Sequence, residues 1–380
     1  MPTSLIGLFL IGGTLNLGYG SVFTLLAEIR DRFGFEDWAI GWIGGAGFAA
    51  GFAAQVALSR YADRGHVRAM LVGGVIAALL GMIGMVFATQ LWEFVGARLL
   101  LGLGSGTFMP AVRRIAVTRD PSRAGETLGR MAVFDLGGFL LGPVVASALN
   151  ELWGLRAPFI ALAVLLAASI PLAARAKLQH TQGSASPRSV RELLQNRSMQ
   201  SCVLAAIAFY LTVGVFEATW AIFLADQGAS QLFIGATLSL FSLPMLFIPP
   251  GAGRLAQRVG PMRVMPFSIG GAIVCMLGYG VFDGLLVLAV IVAIHSIVDA
   301  FTMPATQLAV ARATPPDQIA TGQGLLGALG LATAAASAAF GGFLYGEYGA
   351  LVLFGGTAGV MAILLGAAYA LGEELRHGDG

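Results

Sequence analysis

The chain has 380 residues, of which 57% are hydrophobic and 11% charged, and its formal net charge is +2. A soluble domain carries roughly one quarter charged residues, so this composition excludes an ordinary soluble enzyme or binding module, and so small a net charge gives no reason to expect a nucleic-acid partner. Apolar runs of about 20 residues, the length that spans the hydrocarbon core of a bilayer, recur from end to end without the alternation of barrel strands.

Twelve spans are predicted, near 5–27, 39–58, 68–88, 92–112, 128–149, 157–174, 200–223, 232–250, 264–282, 285–305, 322–344 and 351–371. The first carries Asn16, Tyr19 and Phe23. It lacks a basic leader and runs on into further spans, so it is expected to be a retained helix and not a cleaved signal peptide. Span two ends in the polar heptapeptide SRYADRG, Ser59 to Gly65, which contains Asp63 and Arg64 and is followed by Arg68. Span four contains Arg98, at the head of RLLLGLGSG. Span five contains Asp135 and then GFLLGPVVAS, from Gly138 to Ser147. There Gly138 and Gly142 make a small-xxx-small face that lets helices approach closely, and Pro143 bends the span.

The segment 175–198 is the one real linker, polar and basic with an amphipathic second half, and is expected to lie along the membrane surface. Span seven carries Glu217 with Trp220 on the same face, and span ten carries His295 and Asp299 at i and i+4, which share a helix face. Span eleven opens on TGQGLLG, where Gly322, Gly324 and Gly327 spell a G-x-G-x-x-G pattern. A dinucleotide reading is rejected, because that fingerprint needs a strand before it and a parallel sheet around it.

Orientation follows from the basic residues, which collect in cytoplasmic loops. With the amino terminus inside, 18 of the 22 Lys and Arg residues fall inside, Arg30, Arg32 and Arg156 fall outside, and Arg98 falls within a span. Both termini are therefore expected to be cytoplasmic. Cys202 and Cys275 both fall in predicted spans, and no disulfide, metal site or cofactor is expected. A charge at the bilayer centre costs about 2.5–3.5 kcal/mol on insertion scales and normally faces a cavity. Arg98, Asp135, Glu217, His295 and Asp299 are thus the candidate functional residues, and a His–Asp pair is suited to holding a proton.

A second polar stretch, GRLAQRVG from Gly253 to Gly260, lies 194 residues after the first, and the offset recurs. Asp63-Arg64 maps onto Gln257-Arg258, Ile40-Gly41 onto Ile234-Gly235, Met109-Pro110 onto Met303-Pro304 and Pro121 onto Pro315. The chain therefore reads as an internal duplication. The expected architecture is all-α, with an amino-terminal six-helix bundle over 1–174, the linker over 175–198 and a carboxy-terminal bundle over 199–380. An offset of six spans gives both copies the same orientation in the membrane.

With these motifs in place the sequence resembles the major facilitator superfamily of secondary transporters over nearly its whole length. SRYADRGHVR is similar to the family's loop between spans two and three, RLLLGLGSG to its span-four motif with an embedded arginine, and GFLLGPVVAS to the span-five motif that marks the drug:proton antiporter branch. Ser59 replaces the first glycine of the loop motif, and Ala146 and Ser147 stand where the span-five motif has glycines. The resemblance implies a role for Arg98 in coupling or substrate binding. It also implies a latch of Asp63, Arg64 and Arg68 in which the carboxylate of Asp63 meets the positive amino-terminal end of span eleven.

Many drug antiporters of the family carry an acid in span one, where this chain has only Asn16. A proton carrier is expected elsewhere, in a cavity lined by spans one, four, seven and ten. Tyr19, Phe23, Tyr210, Phe216, Trp220, Phe241 and Phe301 are its candidate apolar contacts. The implied function is proton-coupled export of amphipathic or cationic small molecules across the plasma or bacterial inner membrane, by a monomer whose partners are the substrate, protons and lipid. Two alternatives stay open: export or facilitated passage of a metabolite, sugar or lipid without proton coupling, and a membrane-embedded enzyme or scaffold. No catalytic constellation supports the latter.

Overall fold

The computed structural model describes residues 5–63, 66–119, 124–176, 190–314 and 319–376, and among these residues it is helical with no strand. The helices in chain order are α1 (Leu5–Thr24), α2 (Leu26–Phe33), α3 (Asp37–Asp63), α4 (Val67–Phe87), α5 (Leu91–Arg119), α6 (Ala124–Trp153), α7 (Arg156–Ala174), α8 (Val190–Gln195), α9 (Arg197–Asp226), α10 (Gln231–Ser242), α11 (Pro244–Phe247), α12 (Pro249–Val259), α13 (Pro261–Val281), α14 (Leu285–Ala313) and α15 (Ile319–Leu371), followed by a 3₁₀ turn over Glu373–Arg376.

Polar side chains set several helix starts. Glu93 Oε2 accepts from the backbone N–H groups of Thr89 and Gln90 at 2.7 and 3.1 Å, which supplies partners for donors ahead of α5. Asn196 Oδ1 accepts from Ser198 N at 2.8 Å and caps α9.

Among the described residues ten helices are long and apolar enough to cross a membrane, and eleven with a bent pair counted as one span. The twelfth is inside α15. That helix runs for 53 residues, about 80 Å at 1.5 Å per residue, whereas a whole bilayer with its headgroups measures about 40–45 Å. Gly349, at φ 77° and ψ −178°, breaks the helical path within it, so α15 is two spans joined without a loop. The chain is an integral membrane protein of twelve spans, and large apolar side chains such as Phe267, Leu286 and Ile363 stand exposed on its surface.

Span eight departs from the expected continuous helix over 232–250. It is broken into α10, α11 and α12, with a bend of 53° between Gln231–Phe247 and Pro249–Val259. Pro244, Pro249 and Pro250 explain the break, because each lacks the N–H that would bond the preceding turn. The helix α2 was also not expected. It buries Leu26, Ala27 and Ile29, and its Arg30 bridges to Asp37 at 3.0 Å, tying the span-one end to the start of α3.

Packing divides the chain into two units, 1–185 with 228–239, and 186–227 with 240–380. The segment 228–239 joins the first unit through side-chain hydrogen bonds. Gln231 Nε2 donates to the carbonyl of Thr24 at 2.7 Å, Ser147 Oγ to that of Gln231 at 3.1 Å, and Ser239 Oγ to that of Leu140 at 2.7 Å.

The 194-residue period carries into the helix boundaries. Shifted by 194, Val67–Phe87 becomes 261–281 and Leu91–Arg119 becomes 285–313, the bounds of α13 and α14. Partners repeat as well: α1 packs on α6 as α9 packs on α15, α4 on α5 as α13 on α14, and α3 on α5 as α12 on α14. The fold is two six-span repeats.

Candidate functional site

In the first unit, Arg98 projects from α5 and is fully buried at 0% exposure. Its guanidinium carbon lies 4.4 Å from the centre of the Tyr19 ring and 4.3 Å from that of Phe23. Both rings come from α1, one turn apart, so a single helix face supplies two π faces to one cation. A Cβ at Gly47 on α3 would sit 3.0 Å from the Arg98 Cζ, so the glycine leaves the guanidinium its room. The same α3 backbone is pressed against α5, where a Cβ at Gly102 would collide with the Gly47 carbonyl.

Hydrogen bonds hold the cage. The Tyr19 hydroxyl donates to the Gly47 carbonyl at 3.3 Å and accepts from Ser105 Oγ at 3.2 Å. Phe23 stacks on Phe48 with centroids 5.7 Å apart. The arrangement maintains a positive charge in an apolar setting, which suits it to anchoring an anionic group or biasing the field along span four.

Asp135 lies on α6 facing α1. Its Oδ1 would be 3.0 Å from a Cβ at Gly12, beside the Met109 sulfur, and this oxygen is buried with no hydrogen-bond partner among the described residues. Arg113 on α5 lies within electrostatic reach of it. Asn16, one turn along α1 from Gly12, donates from Nδ2 to the Gly12 carbonyl at 3.1 Å. Asn16 and Asp135 thus flank the same turn of span one.

The span-five motif forms the α1–α6 contact. A Cβ at Gly138 would collide with the carbonyl of Gly13, one at Gly142 would fall 2.6 Å from the Leu17 carbonyl, and one at Gly20 would lie 2.9 Å from Pro143 Cδ. Ser21 Oγ donates to the Gly142 carbonyl at 3.2 Å across the same interface.

In the second unit, α14 carries His295 and Asp299, buried at 0% and 1% exposure, with Nε2 of His295 3.5 Å from Oδ2 of Asp299. The Tyr279 hydroxyl of α13 lies 3.1 Å from His295 Nδ1. Rings enclose the imidazole: Phe241 at 5.5 Å, Tyr279 at 5.7 Å and Phe216 at 6.3 Å between centroids. Trp220, fully buried, stacks on Phe216 at 4.6 Å and meets Tyr279 at 5.0 Å. Glu217, on the same helix, is half-buried with its Oε2 shielded. Trp220 thus belongs to the His295 surroundings, and Tyr279 and Ser105 are the residues that the sequence reading did not single out. A tyrosine in the last turn of an apolar span was the available signal, because a buried phenol needs a partner.

Ser105 and Asp299 are 194 residues apart, so one position of span four and span ten holds a hydroxyl in the first repeat and a carboxyl in the second. Ser296, the counterpart of Gly102, donates through Oγ to the carbonyl of Phe241, the counterpart of Gly47. The two repeats cross at the same place with different chemistry.

Of the expected latch, Arg64 and the side chain of Asp63 lie outside the described residues. Arg68 donates to the carbonyl of Ala176, just past α7, at 3.5 Å. Among the described residues nothing lies within 4 Å of a Cβ at Gly324 or Gly327. Among the described residues no three His, Cys, Asp or Glu side chains gather as metal ligands would, and Cys202 and Cys275 are free and buried.

Comparison with known proteins bears on this geometry. The family model of the Major Facilitator Superfamily matches residues 8–216 and 202–378. The chain is 27% identical over 263 residues to "Multidrug resistance protein MdtG" of Rahnella sp. (strain Y9602), covering 65% of this chain and 62% of that protein. It is 26% identical over 264 residues to the protein of the same name from Proteus mirabilis (strain HI4320), covering 65% and 64%. The chain therefore spans less than two thirds of the length of these curated relatives. Among solved structures, nucleoside transporter NupG superposes with a TM-score of 0.79 at 14% identity, covering 97% of this chain and 99% of that one. A bacterial homologue of the human lysosomal transporter Spinster, inward-facing and occupied, gives 0.80 at 15% identity, covering 98% and 96%. At these identities the structural likeness speaks for the fold.

Proposed function

The chain belongs to the Major Facilitator Superfamily, and from that premise we propose that it is a secondary carrier that works by alternating access and exports amphipathic or cationic small molecules in exchange for protons. The observation that carries this reading is the His295–Asp299 pair, buried in the middle of span ten among aromatic rings. A carboxylate enclosed in this way is costly unless it is paired or takes up a proton. A group that alternates between a wet and a dry setting is a natural proton carrier, because the same acid sheds its proton when water reaches it.

The remaining residues take distinct roles. Arg98 keeps its charge at any physiological pH and serves as the fixed positive element of the first unit. Asp135 is the second proton candidate, and Glu217 is the contact for a cationic substrate. Asp63, with Arg64 and Arg68, latches the cytoplasmic ends when that side is closed. The protein is placed in the bacterial inner membrane with both termini cytoplasmic, as a monomer whose two bundles are joined by the 175–198 linker. The relatives named for multidrug resistance support the substrate class.

The test is transport in liposomes with an imposed pH gradient and a panel of lipophilic cations. Protons should move in response to a transported compound, and collapsing the gradient should abolish accumulation. Substrate movement indifferent to that collapse would overturn proton coupling and leave a facilitator.

A further inference from the structure

Tyr279 stands outside the residues assigned so far, yet among the described residues its hydroxyl makes the one hydrogen bond to His295. We propose that Tyr279 is the positioning residue of the His295–Asp299 pair: its hydroxyl donates to Nδ1 of His295 and holds the imidazole in the tautomer whose Nε2–H faces the carboxyl of Asp299. This rests on the proton-carrier reading for its use in transport, although the tautomer can be read without any transport.

The argument is one of satisfiable hydrogen bonds. The phenol oxygen is 3.1 Å from Nδ1, and Tyr279 is 1% exposed, so water is not a ready alternative. On the other side of the ring, Nε2 is 3.5 Å from Oδ2 of Asp299. By strict geometry neither Nε2 nor either oxygen of Asp299 has any other partner among the described residues. A neutral imidazole has one N–H and one acceptor nitrogen. If Nδ1 carried the hydrogen, the Nε2 lone pair would face the carboxyl oxygen, and the phenol hydrogen would have to turn toward its neighbours. Those neighbours are rings: Trp220 at 5.0 Å and Phe354 at 5.5 Å. With the hydrogen on Nε2 and Asp299 ionised, the phenol donates to Nδ1 and the imidazole donates to Asp299, and every polar hydrogen of the three groups has an acceptor.

The groups around the pair leave few other choices. Span nine carries Cys275 and Tyr279 within electrostatic reach of Asp299. Around the imidazole and the phenol, α9 presents Phe216 and Trp220, α10 presents Phe241 and α15 presents Phe354. The ring contacts at Trp220 and Phe354 also fix the phenol in place. An arriving proton is therefore expected on the Asp299 carboxyl and not on Nδ1, since an imidazolium would send its Nδ1–H to the phenol oxygen and turn the phenol hydrogen toward the rings.

The test is nitrogen NMR of protein labelled with ¹⁵N-histidine in lipid. The chain has four histidines, and the His295 signals are those lost in His295→Gln. Wild type should show a protonated Nε2 and a bare Nδ1, and Tyr279→Phe should convert this to a mixture or to the other tautomer. In liposomes Tyr279→Phe should slow gradient-driven transport about three- to tenfold, the scale of one neutral hydrogen bond, while substrate counterflow persists. A protonated Nδ1 in wild type, or an unchanged tautomer in Tyr279→Phe, overturns the proposal. If Tyr279→Phe does not fold, the wild-type spectrum alone decides. If the tautomer behaves as expected but Asp299→Asn keeps gradient-driven transport, the proton-carrier reading falls and the positioning role of Tyr279 stands.

Discussion

The guanidinium carbon of Arg98 lies 4.3 Å from the centre of the Phe23 ring. A buried cation over a π face contributes about 0.5–2 kcal/mol, and Tyr19 offers a second face from the same helix. Phe23→Leu should therefore remove up to about 2 kcal/mol of cation–π stabilisation together with packing against Phe48, and leave the protein folded. Gly47→Val should do more harm, because its branched side chain must displace the guanidinium and not merely a ring. Gly73→Ala, where nothing among the described residues lies within 4 Å of a Cβ, is the control. Thermal melts monitored by chromatographic monodispersity would check the order.

Backbone contact between spans one and five sets a second expectation. A Cβ at Gly138 would strike the Gly13 carbonyl, whereas at the neighbouring Gly137 nothing among the described residues lies within 4 Å. Gly138→Val should separate the two helices and cost at least the 1–3 kcal/mol typical of overpacking, with loss of monodisperse protein. Gly137→Ala should be neutral. Equal behaviour of the two variants would mean that the α1–α6 contact is looser than its geometry.

Neutral replacements distinguish the buried acids. Asp299→Asn should stop gradient-driven accumulation yet permit counterflow, since exchange of substrate needs no net proton movement. Asp135→Asn, next to Gly12 and one turn from Asn16, should give a partial loss of the same kind. Transport assays with and without a pH gradient separate these outcomes, and full retention of gradient-driven transport by both variants would remove proton coupling from these residues.

Gly349 sits at φ 77° and ψ −178° between spans eleven and twelve, a region that only glycine occupies readily. Gly349→Ala should cost about 1–3 kcal/mol through backbone strain alone. At Gly355 nothing among the described residues lies within 4 Å of a Cβ and φ is not positive, so Gly355→Ala should leave stability unchanged or slightly raised. Melting temperatures of the pair in matched detergent check this.

Much of the fold was legible in the residues because the signals are local. Span length follows from bilayer thickness and hydropathy, and a duplication shows as an offset however the chain folds. The 194-residue period, first met in Asp63-Arg64 and Gln257-Arg258, reappears in the bounds of α4 and α13 and of α5 and α14. The charged residues Arg98, His295 and Asp299 stood out in apolar runs for the same reason, since the cost of placing them in lipid can be read one residue at a time.

What surrounds each charge was decided by tertiary structure, because neighbours depend on how each helix is rotated about its axis and where it crosses the next. That Tyr19 and Phe23 turn their rings to Arg98, or that Trp220 packs near His295 and not only beside Glu217, cannot be read from spacing along one helix. Tyr279 entered only because α13 lies on α14 at the turn that carries His295. The break in span eight was foreshadowed by its prolines, yet the sharing of that span between two units rests on hydrogen bonds from Gln231 and Ser239 to carbonyls more than 90 positions earlier in the chain. Hydropathy specifies that a residue enters the membrane; the partner it finds there is a property of packing, which involves residues that no local pattern links.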